Sequence, residues 1–118
     1  MTRVEALTEL RDKVKAGEDP AWADVECCFY GRDTTIVLPQ VDYVILAYRG
    51  SLDAAKALHD AVLPGWGCEM GWIAAGASSV ALWPPHESGK SPAIAKADSL
   101  ARAWLIAILS ALIAQDRA

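Results

Sequence analysis

The apolar runs of the sequence are shorter than a membrane-spanning segment requires. Its longest apolar run extends from Ala103 to Ala114 and is interrupted only by Ser110. That is roughly a dozen residues, whereas a spanning helix needs about 20. The first residues, Thr2 to Glu5, also lack the apolar centre of a secretory signal. We therefore expect no membrane association, and we interpret the apolar run as a buried core helix.

Cysteine is scarce and poorly placed for disulfide bonds. The three cysteines are Cys27, Cys28 and Cys68, an odd number of which two are adjacent. A structural disulfide framework normally uses an even number of cysteines in an oxidising compartment. The pattern therefore favours reduced thiols, and the expected location is the cytoplasm.

Positive charge is not concentrated in any one stretch of the chain. The formal net charge is −4, and the densest basic stretch, Arg11 to Lys15, is interleaved with acidic side chains. The order helix, three strands, helix is shared with double-stranded RNA-binding domains, whose last helix begins with a basic cluster. Here the last helix begins at Asp98. Because an acidic chain without a basic patch repels phosphate, no nucleic-acid partner is expected.

Potential metal ligands and nucleophiles lack the spacing that their chemistry needs. The two histidines, His59 and His86, form no metal-binding pattern with each other or with the cysteines. Cys68 with His59 as its base is the one nucleophile pair that suggests itself, but the surroundings of Cys68 are apolar. We interpret the cysteines as core residues. The sequence thus predicts no catalytic, cofactor-binding or metal-binding residue.

The second half of the chain carries start and stop signals for helices and strands. Ser51 caps an amphipathic helix that ends at Pro64-Gly65, and Asp98 caps the apolar C-terminal helix. Between them lie three runs typical of strands, residues 66–74, 79–83 and 92–96. The predicted fold class is α+β: a small three-stranded antiparallel sheet with helices on both faces, an α-β-α sandwich.

The length of the chain suits a single domain over residues 1–118. Pro39 interrupts a β-rich run, and the apolar stretch from Val41 to Tyr48 reads as a strand or a buried extended segment. The predicted parts are an N-terminal helical hairpin (1–31), an extended connection (32–50) and an α-β-β-β-α core (51–118).

Two blocks of the sequence resemble a known family. The first is Gly50 to Leu58 followed by Leu63-Pro64-Gly65-Trp66, and the second is Ala95 to Ala103, which leads into the C-terminal helix. Together they are similar to the phage ABA sandwich domain family of bacteriophage and prophage proteins. The resemblance implies an α-β-α layered fold and a phage or prophage origin. It implies no activity and carries no catalytic residues.

Five tryptophans are distributed along the chain. Two of them, Trp22 and Trp104, lie on apolar helix stripes and are expected in the core. A further alternating set on one face of the first strand is predicted to be buried: Trp66, Cys68, Met70 and Trp72.

A candidate partner surface follows from the remaining aromatic and polar residues. Trp83 is followed by two prolines and His86, and it is expected to be the most exposed tryptophan. Glu69 lies between two glycines on the strand face opposite the other tryptophans, where a solvated carboxylate is the expected state. Trp83, His86 and Glu69 are therefore the predicted partner surface.

The leading functional hypothesis is a non-enzymatic interaction module that acts through an apolar or aromatic surface. Its partner is a second copy of the chain, giving a homodimer, or another phage or host protein. The alternative is a small-ligand binder or enzyme with a site near Glu69, His59 and His86, completed by Tyr43 or Tyr48. Because no spacing of these residues supports a reaction, a non-enzymatic role is favoured.

Overall fold

A computed structural model describes residues 2–29, 38–73, 76–85 and 92–117 of the chain. The helices are α1 (Arg3–Lys15), α2 (Trp22–Phe29), α3 (Leu38–Tyr48), α4 (Leu52–Val62) and α5 (Leu100–Arg117), and the strands are β1 (Gly67–Ile73), β2 (Ala77–Trp83) and β3 (Ala93–Ala97). Within these residues, no helix combines the length and the apolar character that crossing a membrane would take.

Helix α1 begins and ends where its sequence signals indicate. The Thr2 hydroxyl accepts a hydrogen bond from the Glu5 backbone N–H at 3.2 Å, which satisfies one of the free amides of the first turn. One stripe of the helix, which includes Leu7, Leu10 and Val14, is buried. Helix α1 packs on α2 and α5, so this stripe joins the core of the domain.

The prediction of an extended connection over 32–50 is wrong for residues 38–48, which form helix α3. Val41, Val44 and Tyr48 are all buried and recur at helical spacing. Packing of this stripe against α4 and α5 outweighs the β propensity of the branched side chains. Residues 32–37 of the predicted connection lie outside the described part of the chain.

A short turn both ends α3 and starts α4. Gly50 has a φ of 106°, the Ser51 N–H donates to the Leu46 carbonyl at 3.0 Å, and the Gly50 N–H donates to the Ala47 carbonyl at 3.0 Å. This is the Schellman pattern of a helix end. The Ser51 hydroxyl then accepts from the Ala54 N–H at 3.1 Å and caps α4. The two helices therefore pack side by side as an antiparallel pair.

The three strands form one antiparallel sheet in the order β1-β2-β3. Gly76, with a φ of 81°, lies in the turn that joins β1 to β2. In the register of the sheet, Val80 lies opposite Met70 on one side and opposite Ala95 on the other. The α+β class and the three-stranded antiparallel sheet are thus confirmed.

Within the described residues, the helices stack on one face of the sheet rather than one layer lying on each face. Helix α5 packs on β2 and β3, and α1, α3 and α4 cover its other sides. The inner face of the sheet, the one against α5, carries the buried Val80 and Leu82. The outer face of β1 and β2 is built largely from small residues, namely Gly67, Gly71, Ala77, Ser79 and Ala81. It offers too little apolar volume to hold a second helix layer.

Shortening one buried side chain of α5 tests this arrangement of layers. Leu109 is fully buried, so Leu109→Ala is expected to lower the free energy of unfolding by about 2–5 kcal/mol. Leu46→Ala is the matched control, because Leu46 also lies within a helix but is exposed, and its cost should stay below about 1 kcal/mol. Urea denaturation measures both values. Equal costs for the two variants would contradict the central position of α5.

Candidate interaction surface

Two of the three predicted partner residues lie together on the outer face of the sheet. Glu69 lies opposite Ala81, and Trp83 follows two residues later on the same strand face. Glu69 is exposed, as predicted, and Trp83 is 45% exposed. Ile94 of β3 lies on the other side of Ala81 and is also exposed. We call Glu69, Ala81, Trp83 and Ile94 the outer-face patch; His86 lies outside the described residues.

The most exposed tryptophan is Trp72 on β1, not Trp83. It is 86% exposed and its neighbour Met70 is 45% exposed, so the predicted burial of both residues is wrong. Their face was predicted correctly, because Met70 and Trp72 lie opposite Val80 and Ser78, which belong to the inner face. Helix α5, which packs on the rest of this face, does not extend over these two side chains. We call Met70 and Trp72 the β1 overhang.

The overhang has a simple geometrical cause. A helix is about 10 Å wide and neighbouring strands are about 4.8 Å apart, so one helix covers about two strands. Helix α5 packs on β2 and β3, and β1 extends beyond it. The inner face of β1 is therefore apolar in sequence but exposed in the single chain.

The remaining tryptophans divide between core and surface. Trp104 on α5 is buried, which confirms its predicted place. Trp22 is 41% exposed, so its predicted core position is wrong. Helix α2 begins at Trp22, and this residue lies at the end of the stripe whose buried members are Val25 and Cys28. The neighbouring helices therefore cover only part of its side chain.

His59 is held in the core by two hydrogen bonds. The Trp104 indole N–H donates to Nδ1 at 3.2 Å, and Nε2 lies 2.9 Å from the Trp66 carbonyl oxygen. Since an indole N–H can only donate, Nδ1 must accept, and Nε2 must carry the proton that it donates to Trp66. The imidazole is thus a neutral, fully bonded ring that is only 5% exposed. It has no lone pair left to act as a base or a metal ligand.

Among the described residues of the alternative ligand or enzyme site, His59, Glu69 and Tyr48 are not brought together. His59 lies in the core between α4 and α5, whereas Glu69 lies on the outer face of the sheet. The Tyr48 hydroxyl donates to the Gly17 carbonyl at 2.6 Å and serves as a buried link between α3 and the end of α1. Among the described residues there is also no group of three or more His, Cys, Asp or Glu side chains that could hold a metal ion.

Cys68 lies on the inner face of β1, directly opposite Leu82. It is half-buried, and this burial raises the pKa of the Cys68 thiol. A raised pKa keeps the sulfur protonated near neutral pH, where a thiol is a poor nucleophile. With both nitrogens of His59 engaged in hydrogen bonds, Cys68 has no base from that residue.

Comparison with known protein families, with curated proteins and with solved structures finds no match. Function is therefore inferred from the geometry of the described residues alone. That geometry has two features: exposed apolar side chains on the sheet, and a buried histidine in the core whose two ring nitrogens are both hydrogen-bonded. The first is suited to binding another protein, and the second to holding the fold together.

The His59–Trp104 contact can be tested by a double-mutant cycle. His59→Phe leaves the Trp104 N–H buried without a partner, so it is expected to cost about 1–3 kcal/mol of unfolding free energy. In the double variant with Trp104→Phe, that orphaned donor is gone. Its total cost should be smaller than the sum of the two single costs by about 1 kcal/mol, as measured by urea denaturation. Strict additivity would show that the bond contributes nothing.

Proposed function

We propose that this protein is a non-enzymatic interaction module that associates with a second copy of itself through the edge of β1. The observation that carries the proposal is the exposure of Trp72, which is 86%. A tryptophan of this exposure beside an exposed methionine is costly to leave in water and is typical of a binding surface. We therefore propose the β1 overhang, rather than Trp83 alone, as the partner surface.

The edge of β1 has little of the protection that prevents sheets from joining, since Glu69 is its one charged residue. Within the described residues β1 pairs only with β2, so its other edge has unpaired backbone groups. The strand Gly67–Ile73 contains no lysine, arginine or proline. Natural edge strands usually carry such residues, because an unprotected edge recruits another strand. β3, the other edge, contains Lys96 and follows Pro92.

The β1 edge is also complementary to itself. If two copies pair antiparallel about a two-fold axis at Met70, Trp72 of each copy lies opposite Cys68 of the other. The same register places Glu69 opposite Gly71, so the two carboxylates are not directly opposed. The two overhangs then lie side by side on one face, and a six-stranded sheet results. A closed two-fold arrangement of this kind is the commonest form of protein self-association.

The exposed area is adequate for such an interface. A tryptophan side chain contributes on the order of 150–250 Å². Two copies of Trp72 therefore supply roughly a quarter to two fifths of the approximately 1,200 Å² that the smaller stable interfaces bury. The two Met70 side chains and the paired backbones of β1 add to this area.

The proposed setting of this module is a phage or prophage accessory role in the cytoplasm. The resemblance of the Gly50–Leu58 and Ala95–Ala103 blocks to phage ABA sandwich domains supports the origin. The odd number of cysteines, two of them adjacent, supports a reducing compartment.

Light scattering over a concentration series tests the self-association. The wild-type mass is expected to approach twice the single-chain value of 12.6 kDa as the concentration rises. Trp72→Lys should hold the protein at the single-chain mass, because it places a charge in the paired edge. Trp83→Lys is the matched control, a second exposed tryptophan on the opposite face, and should leave the dimer intact. A wild-type mass that stays at one chain would contradict the proposal.

A designed disulfide tests the register. Met70→Cys places two cysteines on the two-fold axis, where directly opposite Cα atoms are about 4.5–5.5 Å apart, within the range that a disulfide spans. In a Cys68→Ser background, this variant should form a covalent dimer on oxidation, read on a non-reducing gel. Lys96→Cys on the other edge strand is the control and should remain a single chain. A dimer that cross-links equally at both positions would contradict pairing through β1.

A further inference from the structure

A second surface of the molecule lies along the opposite edge of the sheet. Two adjacent clefts, of about 390 and 310 Å³, share Lys15, Lys96 and Ile106 in their walls. Together they form one open trough between the C-terminal end of α1 and strand β3, with α5 as its floor. We call it the β3 trough. Arg102 lies at one end of it, and Ser110 lies at the other.

The wall that β3 contributes is an unpaired strand edge. Residues 94–97 of this strand line the trough, and within the described residues β3 pairs only with β2. The free edge of a strand presents N–H and C=O groups to which an extended peptide can pair as an additional strand. A segment of about five residues would match the length of β3.

The charge of the trough is opposite to that of the whole chain. Three cations line it, Lys15, Lys96 and Arg102, against one acidic residue, Asp98. Asp98 is paired with Arg102 at 3.3 Å. Lys15 and Lys96 have no carboxylate partner among the described residues. The local excess is therefore positive, although the chain carries −4, and it attracts acidic groups.

The position of Arg102 is fixed before any partner arrives. Its guanidinium stacks on the Tyr48 ring at 4.3 Å and donates to the Tyr48 carbonyl at 3.3 Å. Its Nε is buried and has no hydrogen-bond partner. The guanidinium is therefore pre-oriented, so little side-chain entropy remains to be lost when the remaining N–H groups of its two terminal nitrogens meet a carboxylate.

We infer that the β3 trough binds an extended acidic segment of a partner protein, which adds to the sheet beside β3. The backbone of the segment pairs with β3, and its carboxylates face Lys96 on one side and Lys15 and Arg102 on the other. A second copy of the chain fits poorly here, because it would bring the same cations into opposition. This surface is separate from the β1 edge, so the inference goes beyond the proposed self-association.

Peptide titration followed by backbone amide NMR tests the inference. The probe is the acetylated and amidated peptide EEVEE, and the control is KKVKK of the same length. The experiment uses the Trp72→Lys protein as well as the wild type, so failure of β1 pairing does not affect it. EEVEE is expected to shift the amides of Ala93–Ala97 in a saturable manner, whereas KKVKK should leave them unchanged.

Variants separate the trough from general charge effects. Lys15→Glu with Lys96→Glu should weaken EEVEE binding by about tenfold or more, because two attractive contacts become repulsive. Lys56→Glu with Lys13→Glu, the same charge change on other surfaces, should weaken it by less than about twofold. Equal losses in the two double variants, or no saturable shift in β3, would overturn the inference.

A third peptide distinguishes strand addition from binding of carboxylates alone. EEVEE methylated on alternate backbone nitrogens keeps every charge but cannot donate to the β3 edge. Its affinity should fall by about tenfold if the segment pairs as a strand. If the methylated peptide or free succinate binds the same amides as tightly as EEVEE, the trough is a small-anion site, and strand addition is contradicted.

Discussion

The burial of α5 on all its sides is the constraint on which the rest of the structure depends. Its residues from Ala103 to Leu109 are buried without interruption, with the sheet on one side and three other helices around the remainder. An α-helix this apolar is stable in water only when every side is covered. Helices α1, α3 and α4 therefore pack against α5 and do not cover the sheet.

The exposed edge of the sheet follows from this packing of the helices around α5. One helix covers β2 and β3, and β1 extends past it with Met70 and Trp72 uncovered. The apolar alternation of β1 is the pattern of a buried strand, and pairing with a second copy would bring the two sets of exposed side chains into contact. The same stack of layers leaves β3 at the other edge, where α1 and α5 enclose a basic trough. One arrangement thus creates two edges with different chemistry.

Polar groups fix the positions of the helices around α5. The Trp104 indole bonds to His59 of α4, and the Arg102 guanidinium stacks on Tyr48 of α3. Both pairs join residues that are distant in sequence. Of their members, His59, Trp104 and Tyr48 are buried. Removing one member of such a pair leaves the other unsatisfied, so these contacts specify the orientation of the helices.

The sequence predicts the features that depend on local chemistry. Ser51 before its helix and the alternating face of β1 both carry signals within a few residues. Helix α3 was missed because the β propensity of Val41 and Val44 is a weak preference that packing on α4 and α5 overrides. The exposure of Trp72 could not be predicted, since alternation assigns a face but not what lies above it. Lys15, Lys96 and Arg102 meet only in the folded chain, so no linear pattern marks the trough.

The most direct test of the account is hydrogen exchange of the β1 amides at two protein concentrations. Pairing through β1 predicts that alternate amides between Cys68 and Trp72, those that point away from β2, are protected at high concentration and exchange rapidly on dilution. The amides bonded to β2 should remain protected throughout. If the outward-facing amides exchange rapidly at every concentration, β1 is a free edge and its proposed role is contradicted.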